Sequence, residues 1–191
     1  MTGMTKILQL MRQAWPVSDN AIEALCRHLT PVSFAKRVKL VEKGKRCPNA
    51  YFIEKGLTRS YWLVDGDEIT TSFSQEGGIV FSMDELYYDL PSEEYVESIE
   101  PIEGFAIPVN SLRELFAEHI DLANWGRIIH QNEYRRLHRS HMERLTLSAR
   151  ERYECFKQQF PEVCKRANLG HIASYLGITQ SSLSRLRATD T

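Results

Sequence analysis

The sequence predicts an α+β chain: an N-terminal antiparallel β-roll of the double-stranded β-helix type, then a long central helix, then a C-terminal helical unit. Three observations carry this. Between residues 31 and 107 apolar and polar residues alternate in short runs, which is the period of strands. Turns that carry Gly separate those runs at short intervals, as an antiparallel roll requires. Beyond residue 120 the period lengthens to that of helices, first over about 25 residues and then in two short runs on either side of Gly177.

Taken in order, residues 5–14 place Ile7, Leu8, Leu10 and Met11 on one rough helical face, stopped by Pro16. Ser18 is a cap for a second helix over 19–28, with Ile22, Leu25 and Leu29 inward. Strand patterning follows at Val32 and Phe34, Val38 and Leu40, Tyr51 and Ile53, Leu57 to Leu63, and Ile69 to Phe73. Its turns are Glu42-Lys43-Gly44-Lys45, Lys55-Gly56, Asp65-Gly66-Asp67 and Glu76-Gly77-Gly78. Residues 82–92 look irregular, and strands return at 95–99 and 104–107. Pro108 ends the strands, and Ser111 is the expected cap of a helix through Glu118. A helix over 121–145 would be roughly 37 Å long. Its stripe of Leu122, Trp125, Ile129, Tyr134, Leu137 and Leu145 is interrupted by Gly126 and by Arg135, Arg136, Arg139 and Arg144. It reads either as a dimer seam or as a solvated helix lying on its own roll. Ser148 caps a helix over 149–160, which Pro161 is expected to end just before the last unit.

A chain of 191 residues can bury a real core, in one domain or two small ones. No apolar run approaches 18 residues, and the first 16 residues lack the apolar block of a signal peptide, so a cytoplasmic protein is expected. Cys26, Cys47, Cys155 and Cys164 form no close-spaced pair and read as free thiols. No metal or cofactor is expected: His138 and His141 lack a nearby Cys at ligand spacing, and neither His28 nor Cys47 argues for haem. Charge is divided unevenly. Residues 1–120 hold 12 Lys and Arg against 18 Asp and Glu, whereas residues 121–191 hold 12 against 7. A basic C-terminal part on an acidic body suits a phosphate-bearing partner.

Residues 168–188, NLGHIASYLGITQSSLSRLRA, have the spacing of a helix-turn-helix. Leu169, Ile172, Ala173 and Leu176 share one helical face, and Ala173 is small enough for a second helix to cross closely. Gly177 permits positive φ at the turn. Ile178, Leu183 and Leu186 give the second helix its buried side. The other side carries Gln180, Ser181, Ser182, Ser184, Arg185 and Arg187, with no acid before Asp190 and with Thr179 as cap. This is a DNA-reading surface or, in the plainer alternative, a helical pair closing a core.

The order of these parts resembles the Crp/Fnr family of bacterial transcription regulators. The resemblance rests on YFIEKGLTRSYW with DGDEIT (51–62, 65–70), SARERYECFKQQFP (148–161) and HIASYLGITQSSLSRLR (171–187). It implies a cyclic-nucleotide-binding-like sensor roll over 1–120, a dimerisation helix over 121–146 and a DNA-binding unit over 147–191. It further implies a homodimer on a two-fold operator, contact with RNA polymerase, and a small-molecule effector of unknown identity. Membranes are not an implied partner, and catalysis is not expected because residues 30–107 contain no His.

The chain departs from the family at several positions. Where ligand-binding members have a phosphate cassette, this chain has Phe81-Ser82-Met83-Asp84-Glu85-Leu86, with Ser82 at the Gly and Met83 at the ribose-binding Glu. No Arg or Lys lies in 87–104, so cyclic AMP in the usual pose lacks its cationic partner. Arg135 and Arg136 stand where the family's spine faces the purine; they either hold another anion or point to solvent. Of the base-reading positions, Arg185 matches, while Gln180 and Ser181 differ, so the operator should differ too. The sequence given ends at Thr191 without the strands of a wing, and backbone anchoring is expected from Thr179, Ser182, Arg187 and Arg166. The alternative from a different class is a small-molecule-binding roll that regulates a protein partner without touching DNA.

Overall fold

In the computed structural model, which describes residues 5–188, the strand-patterned region forms two four-stranded antiparallel sheets. The strands are β1 (Thr30–Phe34), β2 (Lys39–Val41), β3 (Asn49–Lys55), β4 (Thr58–Val64), β5 (Asp67–Ser74), β6 (Ile79–Val80), β7 (Tyr95–Ser98) and β8 (Ile102–Pro108). One sheet has the order β1-β8-β3-β6 and the other β2-β7-β4-β5. Leu40, Val41 and Val96 of the second sheet meet Ile53, Val80 and Ile102 of the first inside the roll, all buried. The β4–β5 hairpin closes through Asp65 and Gly66, both at positive φ (52° and 91°), in the two-residue form whose twist matches its strands.

The outer face of each sheet has its own cover. Over the first lie α1 (Thr5–Ala14), α2 (Asp19–Arg27), α3 (Val109–Glu118) and the start of α4 (Ile120–Thr146). They bury Ile7, Met11, Leu25, Leu112, Leu122 and Trp125 against Ala50, Phe52 and Ile107. Ser18 caps α2 as expected, its side chain accepting from the Ala21 amide. The Glu54 carboxylate of β3 accepts the Lys6 and Ile7 amides and so holds the start of α1. Over the second sheet lie the C-terminal helices α5 (Ala149–Gln159), α6 (Pro161–Arg166), α7 (Leu169–Leu176) and α8 (Gln180–Ala188), whose Phe156, Ile172, Tyr175 and Leu176 pack on Leu57, Phe73 and Ile99.

Several expectations are corrected. Helix α3 begins at Val109 with Pro108 before it, so Ser111 lies within the helix rather than at its cap. Pro161 ends α5 and also opens α6, because a ring without an N–H fits the first turn of a helix; the helix-turn-helix therefore follows one helix later. The irregular stretch contains a five-residue π-helical turn, Asp84–Tyr88. Gly126 does not interrupt α4: it is buried where the Phe116 ring crosses, and a Cβ there would meet Phe116 Cζ at 2.9 Å. Asp190 and Thr191 lie outside the described residues.

Candidate nucleic-acid interface

Helices α7 and α8 are each started by a side chain. Asn168 Oδ1 accepts the His171 amide at 2.8 Å, and Thr179 Oγ1 accepts the Ser182 amide at 3.2 Å. Between them Gly177 sits in the left-handed region (φ 67°), its amide closing α7 onto the Ala173 and Ser174 carbonyls. Ile172, Ala173, Leu176 and Leu183 are buried together, so α8 turns its opposite face outward. There Thr179, Gln180, Ser181, Ser184, Arg185 and Arg187 are exposed and Ser182 is half-buried. Thr179 Oγ1 lies 3.0 and 2.9 Å from the Ser181 and Ser182 hydroxyls, and Arg185 donates to Ser182 Oγ at 3.4 Å. The seven expected residues thus run along α8 from its cap, Thr179, to its last turn, on the side away from the buried Leu183.

This unit is fastened to the roll by polar contacts that sequence reasoning missed. β5 is the outer strand of its sheet. Ser174 Oγ accepts the Thr70 amide at 2.8 Å and donates to the Glu68 carbonyl at 2.7 Å. Two further residues take roles other than those expected. Arg166, read as a phosphate anchor, donates to both Glu76 oxygens at 2.8 Å and to Glu100 at 3.0 Å, so it ties α6 to the roll. Burial would raise the Glu76 carboxyl, but the Arg166 and Gly56 hydrogen bonds bring it down to about 2. Arg136, read either as an anion ligand or as a solvent-facing side chain, is largely buried. It pairs with Glu133, donates to Ser72 Oγ at 2.8 Å and Tyr175 Oη at 3.3 Å, and lies over the Phe160 ring. Arg135, its neighbour, is exposed.

At the same junction Arg59, on β4, is 2 % exposed and pairs with Glu97 and Glu68. His171 of α7 completes the group: ligating atoms of Glu68, Glu97 and His171 lie within 4.8 Å of one another. The Arg59 guanidinium already binds both carboxylates and offsets one of their two charges. Burial, then Arg59, holds the His171 imidazole down at about 4, with Lys36 adding to the effect and Glu68 opposing it.

The cassette-like run is filled by its own chain. Ser82 is fully buried and its hydroxyl accepts the Glu85 amide at 3.2 Å. The Glu85 carboxylate, also buried, pairs with Arg46 Nε at 2.7 Å and accepts the Cys47 amide at 3.2 Å. Arg113 donates to the Leu86 carbonyl at 2.8 Å. The cation facing this run therefore comes from the β2–β3 connection rather than from residues 87–104. Phe81 is half-buried against His130, with ring centroids 5.6 Å apart, and Met83 is exposed.

Beside Met83 an open, mostly apolar cleft of about 600 Å³ lies between the π-helical turn and α4, lined by Tyr87, Tyr88, Phe116, His130 and Tyr134 among others. Tyr87 Oη is 3.1 Å from His130 Nε2, while His130 Nδ1 is 2.7 Å from the Gly126 carbonyl; the carbonyl takes the ring proton, leaving Nε2 to accept from the tyrosine. Along α4 the apolar stripe divides. Leu122, Trp125 and Ile129 pack on the roll, whereas Tyr134, Leu137 and Leu145 stand 72 %, 43 % and 68 % exposed.

No protein-family model matches this sequence, and no curated protein does. Solved structures do. A transcriptional regulator of the Crp/Fnr family from Eubacterium rectale superposes with a TM-score of 0.72 at 15 % identity, over 91 % of this chain and 85 % of that one. The c-di-GMP-responsive global regulator CLP of Xanthomonas campestris gives 0.71 at 16 % identity, over 90 % and 91 %. FixK2 from Bradyrhizobium japonicum gives 0.70 at 20 % identity, over 84 % and 83 %. No helix among the described residues is long and apolar enough to cross a membrane. From sheet order to C-terminal helix pair, the chain has the fold of the Crp/Fnr transcription regulators.

Proposed function

We propose that this chain is a homodimeric, DNA-binding transcription regulator of Crp/Fnr type, acting in the cytoplasm and contacting RNA polymerase. The carrying observation is the outward face of α8. Short hydroxyls, one amide and two guanidiniums stand exposed there on a helix whose other side is buried through Leu183. Such a face fits a major groove, with Arg185 able to pair with guanine and Gln180 with adenine. The dimer reading is supported by Tyr134, Leu137 and Leu145, large apolar side chains that share one face of α4 and have no cover in a single chain.

The filled run at 81–86 supports a chain that does not take cyclic AMP in the usual pose. Glu85 and the cation it holds occupy each other, and 87–104 contains no Lys or Arg. An effector, where one acts, is placed by this reading in the cleft beside Met83 and Tyr87. The test is selection of randomised duplexes by the purified protein at about physiological salt. A two-fold-symmetric consensus is the expected result; retention of no sequence above background would overturn the reading.

A further inference from the structure

The turn of the helix-turn-helix is held by two guanidiniums that come from outside it. The end of a helix leaves four carbonyls without intrahelical partners, and in α7 these belong to Ala173, Ser174, Tyr175 and Leu176. The chain itself satisfies the first two: the Gly177 amide reaches the Ala173 and Ser174 carbonyls, and the Ile178 amide donates to the Ala173 carbonyl at 3.0 Å. The other two accept from arginines. Arg144 of α4 donates to the Tyr175 carbonyl, and Arg152 of α5 donates through Nε to the Leu176 carbonyl at 3.1 Å. Both bonds are charge-assisted, and both put a cation at the negative end of α7.

The same contacts tie α7 to the far half of α4. Arg152 Nη1 donates at 2.8 Å to the carbonyl of Leu147, the residue that caps α4, so one side chain bridges the ends of α4 and α7. Arg144 lies on α4 itself, its Cζ 5.9 Å from the centre of the Tyr175 ring. About two turns earlier on that helix, Arg136 donates to Tyr175 Oη at 3.3 Å. Tyr175 is an anchor that does not shift easily. It is 4 % exposed, with the rings of Phe73, Phe156 and Phe160 around it at centroid distances of 5.2 to 5.9 Å.

These arginines share their stretch of α4 with the face read as the dimer seam. The helix packs on the roll through Leu122, Trp125 and Ile129, and further along it carries Tyr134, Leu137 and Leu145 exposed. Leu137 follows Arg136 and Leu145 follows Arg144, so the seam and the grip on α7 alternate along about three turns of one continuous helix. In a dimer joined at that seam, the separation of the two copies of α8 is then fixed by two links: α4 to its partner across the two-fold axis, and α4 to the turn at Gly177. In a dimeric helix-turn-helix protein this separation is expressed as the distance between half-sites.

We infer that Arg144 and Arg152 are specificity-determining residues for operator spacing: by holding the end of α4 to the α7–α8 turn, they set how far apart the two reading helices stand. This rests on the reading of α8 as the base-reading helix and of α4 as the seam, and it requires neither arginine to touch DNA. Each base pair added between half-sites moves one of them by about 3.4 Å and turns it by about 35° around the duplex, so helices held in one attitude accept one spacing. Without the two guanidiniums, the Tyr175 and Leu176 carbonyls turn to water and the far half of α4 moves relative to α8.

The experiment uses the full chain and the selected operator, rebuilt as a series in which the segment between half-sites is shorter or longer by one base pair. The parent should bind the selected spacing at least about tenfold tighter than either neighbour. In the double variant Arg144→Ala, Arg152→Ala this preference should shrink to about threefold or less, with the base preference inside each half-site unchanged. The preference is a ratio measured on one protein, so neither the fraction folded nor a uniform loss of affinity moves it. Arg144→Ala alone, at an exposed position, should shift the ratio in the same direction and serves where the double variant does not fold. Arg135→Ala, which removes an exposed charge from the same stretch, should keep the parental preference. A parental preference in the folded double variant, or in Arg144→Ala where it stands in, would overturn the proposal. So would the same shrinkage in Arg135→Ala, or a parent that binds all spacings equally. A parent that selects single half-sites would instead overturn the dimer reading, and one that binds no duplex the DNA reading.

Discussion

Ser174 completes an edge of the Thr70 strand with one hydroxyl, accepting the Thr70 amide at 2.8 Å and donating to the neighbouring Glu68 carbonyl at 2.7 Å. An outer strand otherwise presents such groups to water or to another chain. Here α7 closes the edge, so the attitude of the helix-turn-helix is set by the backbone of the roll.

Replacing Ser174 by Ala leaves the Thr70 amide, in a residue with no exposed surface, without its partner. The expected loss is about 1–3 kcal/mol, the cost of an unsatisfied buried donor. Denaturant unfolding of parent and variant measures it, and equal stability would show that α7 is not held at this edge.

The divided stripe of α4 makes a prediction about assembly. Leu137 is 43 % exposed and sits between Tyr134 and Leu145 on the outward face, so Leu137→Glu should leave the fold of one chain intact while placing like charges opposite each other across a seam. Sedimentation should then show monomers where the parent shows dimers. A dimer of undiminished affinity would move the seam off this helix. Leu122→Glu, by contrast, should unfold the chain, because Leu122 is fully buried against the roll.

How far the sequence reaches is visible in these same residues. Periodicity placed the strands, Ser18, Ser148 and Thr179 as caps, and Gly177 at its turn, because each depends on neighbours within four positions. Leu122 and Leu137 looked equivalent in a linear stripe; the division shows only in the packing, where Leu122, Trp125 and Ile129 join the cluster against the roll and Leu137 does not. Arg166 and Arg136 read as available cations for the same reason. Apart from Glu133, three positions before Arg136, their partners are Glu76 and Glu100 for one and Ser72 and Tyr175 for the other, 39 to 90 positions away and beyond any local pattern. Arg46 answers the missing cation of the 81–86 run across 39 positions.

On α8, Arg185 contributes nothing to the core and holds only a long bond to Ser182 Oγ. Arg185→Ala should therefore leave the melting temperature unchanged, weaken operator binding by about 1–3 kcal/mol and relax the choice of base at one position of each half-site. Binding measured across a set of single-base operator variants gives both quantities. Full affinity with an unchanged base preference would remove α8 from the major groove.

His171 makes the junction between roll and helix-turn-helix sensitive to pH. Asn168 Oδ1 is taken by the His171 amide, which turns Asn168 Nδ2 toward His171 Nε2 at 3.2 Å, so Nε2 accepts and Nδ1 keeps the proton, buried without a partner. Arg59 and Lys36 face the ring with positive charge and Glu68 with negative, while Glu97 is within reach. With the imidazole held at about 4 when docked and near 6.5 when free, the docked chain binds fewer protons than the unfolded one. Its contribution is complete above pH 6.5 and drains away as the pH falls toward 4. Since the ring keeps part of its contact with water, the effect is set at about 1–2 kcal/mol. His171→Gln, which cannot take up the proton, should lose less stability than the parent between pH 7.5 and about 5; Glu94, pushed up to about 7 by burial and Asp84, titrates in the same window but is shared by both chains and drops out of the comparison. Glu76 does not confuse the comparison, because its depressed carboxyl loses its stabilisation only as the pH falls below about 4.5 toward 2. If parent and variant lost stability in parallel between pH 6.5 and 4.5, the proton would be binding elsewhere.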